Sequence, residues 1–244
     1  MPARATDELT PRVPDDPERA AATEPGAPNA STPKREVWCE DAVVWLERHR
    51  PLEGCSLITS LPDVSGMPDL GLEGWRRWFI AAAELVLRAT PDDGVAIFYQ
   101  TDIKVEGTWV DKSYLCHRAA EQAGSTLLWH RIVCRKPAGE NNFGRPAYSH
   151  LLCYSRAVRD RGARAYPDVL PATGLMTWSQ AMGLSACRLA CGYVLSHTST
   201  RTVVDPFCGV GTALAVANAM GLDALGVEIV AKRARRARNL RLDK

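Results

Sequence analysis

The sequence predicts an α/β protein with a doubly wound, largely parallel sheet in a single domain. Three observations carry this expectation. Apolar runs of strand length alternate with stretches of helical spacing. A Gly-x-Gly turn joins a strand to a helix late in the chain, at Gly209–Gly211. Only about 14 residues follow the next strand, so the remaining strands must come from the sequence before that turn.

The elements follow in order. Residues 1–35 hold seven of the 16 Pro and no Phe, Trp or Tyr. Such a segment has too little apolar surface to offset its ordering entropy, so a disordered tail over 1–35 and a folded domain over 36–244 are expected. The spacing around Val43, Val44 and Leu46 suits a short helix. Residues 55–60 form an apolar strand that Leu61-Pro62-Asp63 breaks. A helix over 74–89, a buried strand over 94–100 and a helix over 112–124 come next, the last stopped by Gly124. Strands over 126–135 and 147–155 flank a loop at 136–146, and a polar stretch runs from Arg156 to about Thr173. A helix over 179–198 is apolar on every side. Residues 201–230 read strand, glycine loop, helix, strand, and a basic helix closes the chain.

Composition limits the function classes. With 46% hydrophobic residues the chain can build a sizeable core. A formal net charge of +2 excludes a strongly basic coat protein but leaves room for local basic patches. No run approaches the roughly 18 apolar residues of a membrane span, and the N-terminus has no apolar signal core. Eight Cys without a C-x-x-C pair read as reduced thiols of a cytoplasmic protein. Cys187 and Cys191 lie four apart on one helix, but no second ligand pair accompanies them, so no metal site is expected.

The chemistry concentrates at Asp205-Pro206-Phe207-Cys208-Gly209-Val210-Gly211-Thr212. A buried strand ends there in a carboxylate, glycines permit close backbone approach, and a helix N-terminus follows. No Gly-Lys-Ser/Thr follows, so this is not a P-loop. The next strand ends in Glu228, 17 residues after Gly211, where a carboxylate can accept hydrogen bonds from ribose hydroxyls. Together these features point to nucleoside binding.

In that order of blocks the chain resembles the circularly permuted, β-class-like S-adenosylmethionine-dependent amino-methyltransferases that modify adenine or cytosine in DNA. Asp205–Thr212 is similar to the family's Asp-Pro-Phe-x-Gly-Ser-Gly-Thr loop, and Gly226-Val227-Glu228-Ile229 to its acidic ribose strand. The stretch from Arg145-Pro146 to Ser149-His150 resembles the segment beside the target pocket. The helix over 179–198 stands where the family has the helix near the methionine end of the cofactor. The resemblance implies a permuted, Rossmann-like methyltransferase sheet and S-adenosyl-L-methionine as cofactor. Its implied contacts are Asp205, Pro206, Phe207, Cys208, Gly209, Gly211, Thr212, Glu228 and Ile229.

The candidate catalytic residues are Ser60, Leu61, Pro62 and Asp63, in the place of the family's Ser-Pro-Pro-Tyr. In the family the first side chain and a backbone carbonyl hold the target amine, and the aromatic stacks on the flipped base. Ser60 and the Leu61 carbonyl can still accept such bonds; Asp63 cannot stack. Phe143 and Tyr148 are candidate replacements for that stacking face, beside Asn141, Asn142 and Arg145. Seven Lys/Arg in 231–244 and a cluster at Arg156, Arg159, Arg161 and Arg164 suit either a solvated basic surface or phosphate contacts. A methyltransferase acting on a nucleic acid is expected. Methyl transfer to a small molecule or protein side chain, and a non-catalytic binding module, are the alternatives.

Overall fold

A computed structural model describes residues 32–140, 144–160 and 166–242. Strand β1 (Arg35–Trp38) opens the fold, one residue before the expected domain start at 36. Its charged first residues, Arg35 and Glu36, hide it in the sequence, since only Val37 is buried. Helix α1 (Ala42–His49) follows, capped by the Asp41 carboxylate, which accepts from the backbone N–H groups of Val43 and Val44. Such a cap stabilises a helix by about 1 kcal/mol.

Strand β2 (Cys55–Thr59) runs into two single 3-10 turns, and α2 (Gly71–Ala89) leads back to β3 (Ala96–Gln100). A hairpin, β4 (Ile103–Val105) with β5 (Thr108–Val110), precedes α3 (Lys112–Ala123). Long antiparallel strands β6 (Thr126–Cys134) and β7 (Tyr148–Ser155) come next. Two residues of the polar stretch form β8 (Val169–Leu170) against β6. The chain ends in α4 (Leu184–His197), β9 (Thr202–Asp205), α5 (Thr212–Ala219), β10 (Asp223–Val227) and α6 (Ala231–Asn239).

Helix α4 starts five residues later than the expected 179. A Cβ at Gly183 would lie 2.1 Å from the Thr173 carbonyl oxygen, so the backbone is pressed against residue 173 before the helix can begin. The last helix ends at Asn239, short of the expected terminus.

Eight strands form one sheet in the order β1-β10-β9-β2-β3-β7-β6-β8. Only β7 runs antiparallel to its neighbours. Helices cover both faces. One core holds Ile58, Ile97, Val203 and residues of α4 and α5; the other holds Leu57, Phe98, Val204 and residues of α1, α2 and α3. Strands buried on both faces explain the near-continuous apolar runs of β2, β3 and β9. No helix among the described residues is long and apolar enough to cross a membrane.

The described part of the basic terminus is more structural than its composition suggests. Arg238 donates to the Val37 carbonyl and Arg236 to that of Thr177. From the other end of the chain, Arg35 donates to Asn218 Oδ1 and to the carbonyls of Ala237 and Leu240. Asn141, Asn142, Phe143, Arg161, Arg164 and residues 1–31 lie outside the described residues.

Candidate functional site

Parallel neighbours put the C-terminal ends of β9, β2 and β3 at one edge of the sheet. A cavity of about 430 Å³ opens there. Ser60, Leu61, Pro62 and Asp63 line it, and so do Asp205, Pro206, Phe207, Cys208, Gly209, Thr212, Glu228 and Ile229. Every candidate catalytic and cofactor residue except Gly211 therefore lines one space, whereas the stacking candidate Tyr148 does not. That glycine has a left-handed φ of +84°, and a Cβ there would lie 2.8 Å from Ala237 Cα, so it serves the turn and the close approach of α6.

The turn after β2 is fixed by contacts rather than by a second proline. Leu61 is buried in the core of the α2 face. Trp75 Nε1 donates to the Pro62 carbonyl at 3.1 Å. The Asp63 carboxylate is ion-paired with Lys112, whose side chain is 2% exposed. That ammonium also sits 5.8 Å from the centre of the Trp75 ring, a cation–π contact. Buried ammonium groups are rare without such partners. Sequence reasoning missed Lys112, because its only local signal is a position just after the helix-capping Asp111.

At the glycine loop, Asp205 Oδ1 accepts from Thr59 Oγ1 at 2.7 Å and from the Phe207 N–H at 3.1 Å. Burial outweighs these bonds and pushes the Asp205 carboxyl up to about 7. Glu228 is 7% exposed, and its Oε1 accepts from the Val230 N–H at 2.8 Å. Arg233 approaches the same oxygen at 3.8 Å. Next to it Ile229 is 65% exposed, an apolar surface at the cavity wall. Thr177 and Thr212 share a hydrogen bond, and Trp178 lies over Gly209 and under the Arg233 guanidinium. Nothing in the local pattern of 177–178 announces this placement.

On the other side of β3, Tyr99, Gln100, Thr101, Arg135 and Arg145 line the cavity. Behind them His150 bridges Asp102, at 3.0 Å, and His130, at 2.9 Å. His150 is thus held in a partnered network. Burial, with His150 and His117 nearby, lowers the pKa of His130. All eight thiols are free. Burial raises Cys187 and Cys191 well above the usual thiol range, as fits inert core thiols.

No family model matches the sequence, and no curated protein matches it. Solved structures do. TTHA0409 of Thermus thermophilus, assigned as a DNA modification methylase, superposes with a TM-score of 0.64 at 18% identity, over 84% of this chain and 92% of that one. The same protein complexed with S-adenosyl-L-methionine gives 0.63. The cytosine-N4-specific PvuII DNA methyltransferase gives 0.64 at 17% identity, over 86% and 88%. M1.HpyAVI gives 0.55 at 12%, over 85% and 100%. Over most of its length, the chain has the fold of these DNA methyltransferases.

Proposed function

We propose that the chain is an S-adenosylmethionine-dependent methyltransferase acting on an amine of a nucleic acid. One observation carries the reading: the Ser60–Asp63 turn and the Asp205–Thr212 loop, far apart in sequence, wall the same cavity. The fold likeness to DNA methyltransferases supports it.

The residues present fit the cofactor. Glu228 keeps a second carboxylate oxygen for ribose hydroxyls, exposed Ile229 offers an apolar face for a base, and Asp205 is a buried carboxyl suited to a cationic group. When bound, S-adenosylmethionine supplies a methyl group on a positively charged sulfur. The chain's task is to aim the acceptor's lone pair at that carbon, at about 3–3.5 Å. Ser60 Oγ and the Leu61 carbonyl are the acceptors that orient the amine, which turns its lone pair away from them. Trp75 and the Asp63–Lys112 pair hold the turn still. Asp63 already spends an oxygen on Lys112, so we assign it to positioning, and the displaced proton leaves to water.

The wall beyond β3 favours a polyanionic substrate. Arg135 and Arg145 line the cavity. The β4–β5 hairpin arises between two lining residues, Thr101 and Lys112, and carries Trp109, 49% exposed, with the Lys104 ammonium 5.7 Å from its ring. Such cation–aromatic surfaces bind single strands by stacking and charge.

The test is transfer of tritiated methyl from S-adenosylmethionine to native DNA, heat-denatured DNA, total RNA, and protein and metabolite fractions. Label in a nucleic acid is expected. Label confined to protein or metabolites, or in no fraction, overturns the reading.

A further inference from the structure

We infer that Gln100 reads the hydrogen-bonding edge of the methyl acceptor and selects an amine carried beside an unprotonated ring nitrogen. This rests on the function proposed above. Gln100 ends β3, level with His150 of β7. Two positions beyond the paired Thr59 and Phe98, it also comes level with Leu61. It lines the same cavity as Ser60–Asp63.

Its amide is unusual for an interior group. Gln100 is 1% exposed, yet neither Oε1 nor Nε2 has a hydrogen-bond partner among the described residues. Native interiors rarely bury both ends of an amide unpaired. Three polar side chains of the adjoining turn and chain bond elsewhere. Asp63 is paired with Lys112. Asp102 accepts from the Lys112 N–H and faces His150. Thr101 bonds to Ser149 and accepts from Arg135. Gln100 is thus left for a ligand.

A primary amide presents one donor beside one acceptor in a plane. Its complement is a planar edge with an acceptor beside a donor. The Watson–Crick edges of adenine (N1, N6 amine) and cytosine (N3, N4 amine) have this form. Gln100 Nε2 donates to the ring nitrogen, and Oε1 accepts one amine hydrogen. The other hydrogen is left to Ser60 or the Leu61 carbonyl. With Asp63 where the family places an aromatic, the base is held by its edge rather than by its face.

The test uses single-stranded oligodeoxynucleotides and oligoribonucleotides of mixed sequence and tritiated S-adenosylmethionine, with nucleoside analysis to identify the base labelled. Oligonucleotides then carry that base or its deaza analogue, 1-deazaadenine or 3-deazacytosine, which keeps the amine and loses the ring nitrogen. Wild type is expected to prefer the natural base at least about tenfold in kcat/KM, because the amide's donor is stranded by the analogue. Gln100→Leu should lose about tenfold on the natural base, chiefly through KM, lose the discrimination, and bind S-adenosylmethionine as wild type does. Gln100→Met repeats the test if the leucine variant melts early. Equal use of base and analogue by wild type overturns the inference with no variant needed. Unchanged discrimination in Gln100→Leu overturns it too. If wild type labels a nucleic acid at a site other than a base amine, this inference fails while methyl transfer to nucleic acid stands; if it labels none, both fail.

Discussion

Thr59 donates a 2.7 Å hydrogen bond to Asp205, joining the last residue of β2 to the last residue of β9. In the proposed reading, the bond ties the turn that would hold the acceptor to the loop that would hold the cofactor. Loss of the Thr59 hydroxyl should therefore disturb both. Thr59→Val is expected to weaken S-adenosylmethionine binding and slow methyl transfer, each by about threefold to tenfold, the net value of one buried hydrogen bond. Titration calorimetry and single-turnover transfer check the two effects separately.

With its carboxyl pushed up to about 7, Asp205 should make cofactor binding depend on pH if it faces the cofactor as proposed. A cationic ligand group favours the ionised carboxylate. As pH falls through about 7, a proton must leave before the ligand is served. Affinity should then fall by up to about tenfold per pH unit below 7, with a proton released on binding. Calorimetry in buffers of different ionisation enthalpy measures that proton. Asp205→Asn should abolish the release, and pH-independent binding by wild type between 8 and 5.5 would contradict the assignment.

Glu228 carries the ribose contact in this reading. Glu228→Ala should weaken S-adenosylmethionine binding by about 1–3 kcal/mol, as a charged acceptor is lost. Titration of both proteins gives the difference directly. A variant that binds as wild type would remove Glu228 from the cofactor site.

The Asp63–Lys112 pair should behave as a unit. Asp63→Ala leaves a buried ammonium unpaired and should cost about 3 kcal/mol of stability in urea denaturation. Lys112→Met should cost less, and the double variant should lie near Lys112→Met rather than at the sum. Additive losses would mean the two residues act separately. Turnover should fall in both single variants while cofactor affinity holds, since the ion pair they make lies outside the glycine loop.

Much of this was readable from residues alone. The apolar runs of β2, β3 and β9 are buried on both faces, so composition marks them directly. The glycine loop is legible because φ at Gly209 and Gly211 is positive. Strand β1 is not, because Arg35 and Glu36 owe their strand state to pairing with β10. The hairpin offers a turn signal in Glu106-Gly107, both with positive φ, but its strands are three residues each and too short to show alternation. Lys112 and Gln100 escaped notice for a shared reason. Each is a polar residue at an element's end, and only partners or cavities supplied by distant chain reveal it.

The pairing of β1 with β10 also sets an order of events at synthesis. Residues 35–38 emerge first among the described strands, yet their sheet partner is residues 224–227. Arg35 finds its acceptors only at Asn218, Ala237 and Leu240. On the ribosome the opening strand must wait, unpaired, until residues 224–227 have been made. Contacts this distant in sequence slow folding, and a chain released before residue 223 would expose the β9 edge of its sheet to other molecules.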